Sequence, residues 1–504
     1  MEGSTNRIAK KPKHYSLEWA QANEKRVIVF LLCAYFALRL FGLADAGLNR
    51  LYDEGVYLSM MSLESSGKAY IYKDIIFGRP PAVIWVGAWF WGKVHGSIFA
   101  IRCLYICFNL LGFMPVYLLA KRFFNTRIAL LALFLMTTAP GFSNWLGRNV
   151  FLELPQNVLL YWGLWFLLCV RKPWAAATAG GLVALSFLVK ETAIPLIFAL
   201  LVSLLAAEYA PRRLFPMMEE NDKPIKHSWL WMGAGFFAVM GLLLLYLSRI
   251  PNCLHYFASF YFPKRYSSDS YQMRQHFYEW INGFYALSIP FTFGVLGTLW
   301  LAWKPRHRTD LFVSLFALMY AFIIFWVPAR FYWRYFVTVT PIFCIAVGVW
   351  WERFRAVERP ATLRGIVNIF QTLFTLVAFA SLLLYHIKES PTPEPYQVAL
   401  LALDKCPQPV FALDPIWNVV SGKELMVWEH VGGDVFGRQI AMKADPKATI
   451  ALIDSCPSVV LDHDSWLFLR EIPEIEAFIR KTYIRVYRNA KPNDKMYIEV
   501  LSHR

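Results

Sequence analysis

The sequence predicts an α-helical polytopic membrane protein carrying a small α/β domain at its C-terminal end. Three observations carry this. Only 17% of the 504 residues are charged and 57% are hydrophobic, whereas soluble domains carry roughly 25% charge. Apolar runs recur from residue 27 to residue 387. Beyond residue 388 the pattern changes to short apolar runs separated by polar turns.

A spanning helix needs about 20 apolar residues. Candidate spans fall near 27–43, 99–120, 127–143, 157–170, 174–189, 192–208, 229–249, 286–303, 309–328, 334–351 and 366–387, eleven in all. The first follows a polar leader with Arg7, Lys10, Lys11, Lys13, Lys25 and Arg26 and is read as a retained anchor, since no small-residue cleavage site follows it. The run from Ala82 to Val94 is also apolar but ends at Lys93 and His95. If it lies along the membrane surface, every basic connector falls on one side: the N-terminus, Lys121 to Arg127, Arg171 and Lys172, Arg212 to Lys226, Lys304 to Arg308, and Arg353 to Arg364. Lys and Arg concentrate in cytoplasmic loops, so that side is inside. The other side receives residues 44–98, 143–156, the Lys190–Glu191 junction, 250–285, 329–333 and the tail. The net charge of +16 is thereby explained by loop anchors, and no basic reader motif suggests nucleic acid.

The tail alternates Pro409–Leu413, Thr449–Ile453, Ser458–Leu461, Tyr483–Tyr487 and Met496–Leu501 with polar turns, and has one helical stretch near Ser465–Lys481. This predicts an α/β domain over 388–504. The eight cysteines form no C-x-x-C pair, so neither a zinc nor a redox site is indicated. Cys103 and Cys107 read as packing residues. Cys406 and Cys456 are able to pair in an oxidising compartment.

Ionisable groups at a membrane are costly and usually functional. The outer side collects Asp53 and Glu54 in Tyr-Asp-Glu-Gly, Arg79 before Pro80-Pro81, Arg148 and Glu153 in the second loop, Lys190-Glu191, and Arg330 with Arg334-Tyr335. Each has a structural reading. Asp53 can cap a helix starting at Glu54, Glu153 can open a helix, Lys190 can snorkel beside Glu191, and Arg334 can anchor at the interface. Their convergence on one side favours chemistry. Transfer of a sugar from a lipid phosphate fits the inventory. The leaving phosphate needs cations and no strong acid, and the acceptor hydroxyl needs a carboxylate base.

At these residues the chain resembles the polyprenyl-phosphate-dependent glycosyltransferases of the GT-C class, in particular the protein O-mannosyltransferases and lipid A aminoarabinose transferases. The resemblance covers roughly residues 25–350 and rests on Tyr52-Asp53-Glu54, Arg79-Pro80-Pro81, Arg148 with Glu153, Lys190-Glu191-Thr-Ala, and Arg334-Tyr335 leading to Pro341. It implies a GT-C fold, Asp53 as the acceptor-activating base, Glu153 as the second acidic position beside Glu54, and Arg79, Lys190, Arg334, Arg148 and Arg330 on the donor phosphate. The chain departs from the family pattern in three places, the first being Arg79, which takes the place of a Lys that contacts the lipid phosphate. The second acid is Glu153 where Asp is common, and Gly55 and Val56 follow the first pair where aminoarabinose transferases tend to have an Arg. The resemblance also makes the loop 250–285 a flap over the donor, with His255, Arg265 and His276. No cofactor is required; a divalent cation is compatible with the inventory. The expected partners are a polyprenyl-phosphate sugar, membrane lipid, and a protein, lipid or glycan acceptor outside a plasma (inner) membrane. The rivals are a lipid-linked sugar transporter or flippase, which would show repeated halves and charges near the bilayer midplane, and an oligosaccharide transferase with a diphosphate-linked donor, which would need a metal or a larger basic cluster.

Overall fold

The computed structural model describes residues 22–40, 43, 52–75, 79–139, 146–170, 172–190, 193–209, 227–250, 253–256, 277–281, 293–326, 333–356, 394–414, 416–421, 423, 442–489 and 497–504, with Trp19 and isolated positions between 369 and 384. Helices follow the apolar runs closely: α1 (Glu24–Leu40), α2 (Tyr52–Ser66), α3 (Ala82–Lys93), α4 (Ile98–Leu110), α5 (Phe113–Phe123), α6 (Thr126–Thr138), α7 (Glu153–Trp165), α8 (Pro173–Val189), α9 (Ala193–Tyr209) and α10 (Ser228–Ser248). Next come α11 (Phe293–Trp303), α12 (Arg308–Trp326), a 3-10 helix (Trp333–Thr338) and α13 (Thr340–Ala356). Among the described residues three helices are long and apolar enough to cross a membrane: Ile98–Phe123, Ser228–Ser248 and Arg308–Trp326. Most of the span expected at 366–387 lies outside the described residues.

Side-chain chemistry sets the helix ends. Asn125 accepts from the Ile128 amide at the start of α6, and Ser97 accepts from Ala100 at the start of α4, each satisfying an orphan donor. Pro173 opens α8, where a missing amide costs nothing. The α8–α10 contact is unusually close. A Cβ on Gly180 would strike the carbonyl oxygen of Met232, and one on Gly235 would strike that of Ala177. Small residues at a helix crossing permit this backbone approach.

Ion pairs tie the basic connectors together at one end of the bundle. Lys121 pairs with Glu24 and Arg127 with Glu352 (3.6 Å). The Arg308 guanidinium donates to the carbonyls of Ala207 and Glu208 (2.6 and 2.7 Å). The N-terminal segment, the 121–127 connector and the end of α13 are thus joined to one another, and the 304–308 connector is joined to the end of α9.

The tail contains α14 (Glu394–Asp404), β1 (Val410–Ala412), α15 (Ile416–Ser421), α16 (Pro446–Asp454), β2 (Ser458–Asp462), α17 (His463–Leu469), α18 (Pro473–Thr482), β3 (Tyr483–Arg488) and β4 (Ile498–His503). The sheet order is β1-β2-β4-β3, with β1 parallel to β2 and the other pairs antiparallel. Two expectations need correction. The Thr449–Ile453 run belongs to α16, whose start is capped by Asp445. The stretch near 465–481 is two helices, because Pro473 cannot continue α17 and instead opens α18. Cys406 and Cys456 are both free thiols, each donating to the carbonyl four residues back, Ala402 and Leu452. On β4 the fully buried Glu499 is held by Arg480 and Arg485, both at 2.7 Å.

Packing crosses the boundary expected at residue 388. The first-loop helices α2 and α3 share one apolar core with the tail: Leu58, Met61 and Ile84 lie in the same cluster as Phe411, Trp417 and Ile475. Helix α15 packs along α2. A separate cluster, built from α1, α5–α9, α12 and α13, fills the bundle.

Candidate active site

Asp53 and Glu54 occupy the first turn of α2, where the helix dipole favours negative charge. Their surroundings separate them. Glu54 is fully buried; its Oε1 and Oε2 receive the Arg102 Nε and Nη2 at 2.9 and 2.7 Å, and Oε1 also accepts from the Val150 amide at 3.0 Å. Arg102 donates its remaining Nη1 to the Leu43 carbonyl at 2.7 Å. This clamp joins the end of α1, the start of α2, α4 and the second loop.

Asp53 faces other partners. Its Oδ1 pairs with Arg79 Nη2 at 2.8 Å and its Oδ2 with Arg334 Nη1 at 2.6 Å. Arg334 reaches on through Nε to Glu153 Oε1 at 3.2 Å, and Glu153 pairs with Lys190. Arg79, Asp53, Arg334, Glu153 and Lys190 thus form one continuous chain of charge. Its two ends differ in exposure. Arg79, Asp53 and Arg334 are 20%, 14% and 13% exposed, while Lys190 and Glu153 are 5% and 2% exposed. The accessible rim is therefore one carboxylate between two guanidiniums, backed by a buried ion pair.

Five segments meet to build this. Glu153 is the first residue of α7, and Lys190 is the residue at which α8 stops, its backbone already extended. The 3-10 helix carrying Arg334 is fastened to α7 by Asn157 Nδ2 donating to the Val337 carbonyl (2.9 Å) and the Tyr161 hydroxyl to that of Thr338 (2.8 Å). Arg79 is fixed at its backbone by the Tyr72 hydroxyl, which donates to its carbonyl. Its guanidinium donates to the Tyr57 hydroxyl and lies 5.3 Å from that ring. Aromatic faces support the other cations: Lys190 is 4.8 Å from the Tyr335 ring and Arg334 is 5.6 Å from Phe151, within cation–π range.

Burial pushes the Asp53 carboxyl up, but the Arg79 and Arg334 charges and hydrogen bonds outweigh it and hold it well below the usual carboxylate range. Burial drives the Tyr57 phenol well above its ordinary value, so it stays protonated.

Of the residues singled out in the sequence, Asp53, Glu153, Arg79, Lys190 and Arg334 come together. Glu54 is turned to Arg102. Arg148 is buried and within electrostatic reach of Arg39 on α1. Arg330, Arg265, His276 and the side chain of His255 lie outside the described residues. Sequence reasoning missed Arg102, Tyr57, Asn157 and Tyr161. Arg102 had a signal: an arginine inside an apolar run must find a partner.

The cluster itself holds three cations on two carboxylates. Among the described residues no group of three or more His, Cys, Asp and Glu side chains stands together.

Residues 78–240 match the family described as dolichyl-phosphate-mannose-protein mannosyltransferase, a segment holding Arg79, Glu153 and Lys190. The whole architecture matches ArnT from Cupriavidus metallidurans in the apo state at a TM-score of 0.64 and 17% identity, covering 94% of this chain and 97% of that one. The chain has the GT-C fold. The same GT-C protein bound to undecaprenyl phosphate matches with a TM-score of 0.63, again at 17% identity and covering 94% and 97% of the two chains. The apo oligosaccharyltransferase of Archaeoglobus fulgidus shares the GT-C fold at a TM-score of 0.55 and 14% identity, covering 90% of this chain and 70% of that one. No curated protein matches by sequence. The sequence-level resemblance to GT-C polyprenyl-phosphate-dependent glycosyltransferases thus has support from both a family match and the fold.

Proposed function

We propose that the chain is a membrane glycosyltransferase that moves a sugar from a polyprenyl-phosphate carrier to a hydroxyl acceptor, with inversion, at the extracytoplasmic face of a plasma (inner) membrane. The single observation that carries this reading is the rim of the site, where Asp53 stands between Arg79 and Arg334 with both of its oxygens in use. The family match over 78–240 and the fold shared with a protein bound to undecaprenyl phosphate support the choice of donor. The distribution of basic connectors along the sequence supports the choice of membrane face.

The chemistry follows from charge. The acceptor oxygen attacks the anomeric carbon from the face opposite the phosphate, and the bond from that carbon to the phosphate oxygen breaks. The bonding pair leaves with the phosphate, which changes from a monoanionic diester to a dianionic monoester. The acceptor proton passes to Asp53. Arg79 and Arg334 stabilise the phosphate as the leaving group gains its second charge. Glu153 and Lys190 sit behind and hold Arg334 in place. Glu54, with Arg102, acts as the structural clamp under Asp53.

The test is mass spectrometry of glycolipids, glycoproteins and cell-wall glycans from cells with the protein, without it, and with Asp53→Asn. The expected result is one glycosylated product lost, and its polyprenyl-phosphate sugar accumulated, in both the deletion and the variant. Normal product levels with Asp53→Asn would remove Asp53 as the base.

A further inference from the structure

Two guanidiniums lower the basicity of a carboxylate, and Asp53 has one on each oxygen. Arg79 holds Oδ1 at 2.8 Å and Arg334 holds Oδ2 at 2.6 Å. A carboxylate so occupied is well ionised but weakly basic, since the ideal catalytic base has a pKa near the working pH. The two arginines, by contrast, each have a second anchor that does not involve Asp53. Arg79 donates to the Tyr57 hydroxyl. Arg334 reaches Glu153 at 3.2 Å and lies over the Phe151 ring. Each guanidinium thus keeps a contact that does not depend on Asp53. The three groups are also the exposed end of the charge chain, so an incoming anion meets the arginines from the side on which Asp53 already sits.

We infer that Asp53 and the donor phosphate exchange places on Arg79 and Arg334, so that donor binding itself converts Asp53 from a counter-ion into a base. This rests on the phosphate-linked donor proposed above. It imposes an order: the donor binds first, and only then is a hydroxyl activated. It also makes the resting carboxylate a competitor of the donor, because a guanidinium that serves Asp53 cannot give the same hydrogen bonds to phosphate.

That competition yields a result with an unusual sign. Loss of the carboxylate charge should improve phosphate binding. Purified protein in nanodiscs is titrated with farnesyl phosphate, a short polyprenyl monophosphate, by calorimetry. With Asp53→Asn the affinity rises roughly tenfold, as expected for releasing a partly exposed double ion pair. Unchanged or weaker binding by the folded variant overturns the exchange. A second reading uses the wild-type protein with 13C-labelled aspartate carboxyls. Farnesyl phosphate shifts an aspartate carboxylate stretch in the infrared difference spectrum, and a spectrum without such a shift overturns the inference equally. If wild-type protein fails to bind farnesyl phosphate at all, the phosphate-linked donor falls and the inference falls with it. If it binds and Asp53→Asn gains nothing, the donor stands and only the exchange is lost.

Discussion

Replacing Arg102 by methionine removes a cation that is 2% exposed and leaves Glu54, at 0% exposure, with a single remaining donor, the Val150 amide. Three hydrogen bonds go at once: two to Glu54, at 2.9 and 2.7 Å, and one to the Leu43 carbonyl at 2.7 Å. Charge-assisted hydrogen bonds contribute about 1.5–3 kcal/mol each, and breaking a buried pair by removing one partner costs about 3–5 kcal/mol. Arg102→Met should therefore destabilise by about 3–5 kcal/mol, a large share of the roughly 5–15 kcal/mol that keeps most domains folded. Adding Glu54→Gln to Arg102→Met should recover part of this loss, because the uncompensated charge disappears, with a coupling of about 1–3 kcal/mol in the double-mutant cycle. Tryptophan fluorescence during thermal unfolding in detergent measures both. Transfer activity, assayed at temperatures where each variant is folded, should fall mainly in kcat, since Asp53 is the residue next to Glu54 and its placement depends on the clamp. Single variants that unfold within about 0.5 kcal/mol of the parent, the scatter of neutral surface changes, would refute the reasoning.

Two further outcomes concern Asp53 and the α8–α10 crossing. A depressed folded pKa gives a contribution that is present above the unfolded value and is lost as pH falls through the folded one. Asp53, held low by Arg79 and Arg334 against its burial, therefore stays ionised in the donor-free enzyme at mildly acidic pH. kcat/KM for the donor should show no acid limb from Asp53 above about pH 4. kcat should show one at higher pH, where the donor holds the arginines; coincident limbs in the two profiles would contradict the exchange. Separately, Gly235→Leu should force α8 and α10 apart, since any Cβ there runs into the Ala177 carbonyl. Overpacking costs about 1–3 kcal/mol, and an unchanged unfolding temperature in detergent would show that the crossing can relax.

The helices of the bundle were legible because a bilayer demands long apolar runs, and such runs are hard to mistake. The expected 174–189, 192–208, 229–249 and 309–328 became helices at 173–189, 193–209, 228–248 and 308–326. The members of the site were legible for the same reason in reverse: a charge at the end of an apolar run stands out. Their partners were not. Arg334 meets Asp53 and Glu153 from far along the chain, and nothing local in the sequence specifies that pairing. The pairing of Lys190 with Glu153 is likewise not specified by anything local in the sequence. Arg102 was hidden because it was counted as part of an apolar span. In the tail, the five residues of Thr449–Ile453 are too few to distinguish a strand from a turn and a half of helix, and Asp445 with Pro446 decided for helix.

The core shared by α2 and the tail also sets a timetable for biosynthesis. Helix α2 ends at Ser66 and its partner α15 begins at Ile416, so roughly 350 residues must be made in between. At about 5–20 residues per second, the face of α2 that meets α15 waits ~20–70 s for its cover. During that interval the apolar side chains of α2 must be shielded by something other than the tail, and the bilayer surface and α3 are the neighbours at hand. Asp53, one residue into α2, thus stands at the start of a helix whose cover is made roughly 350 residues later.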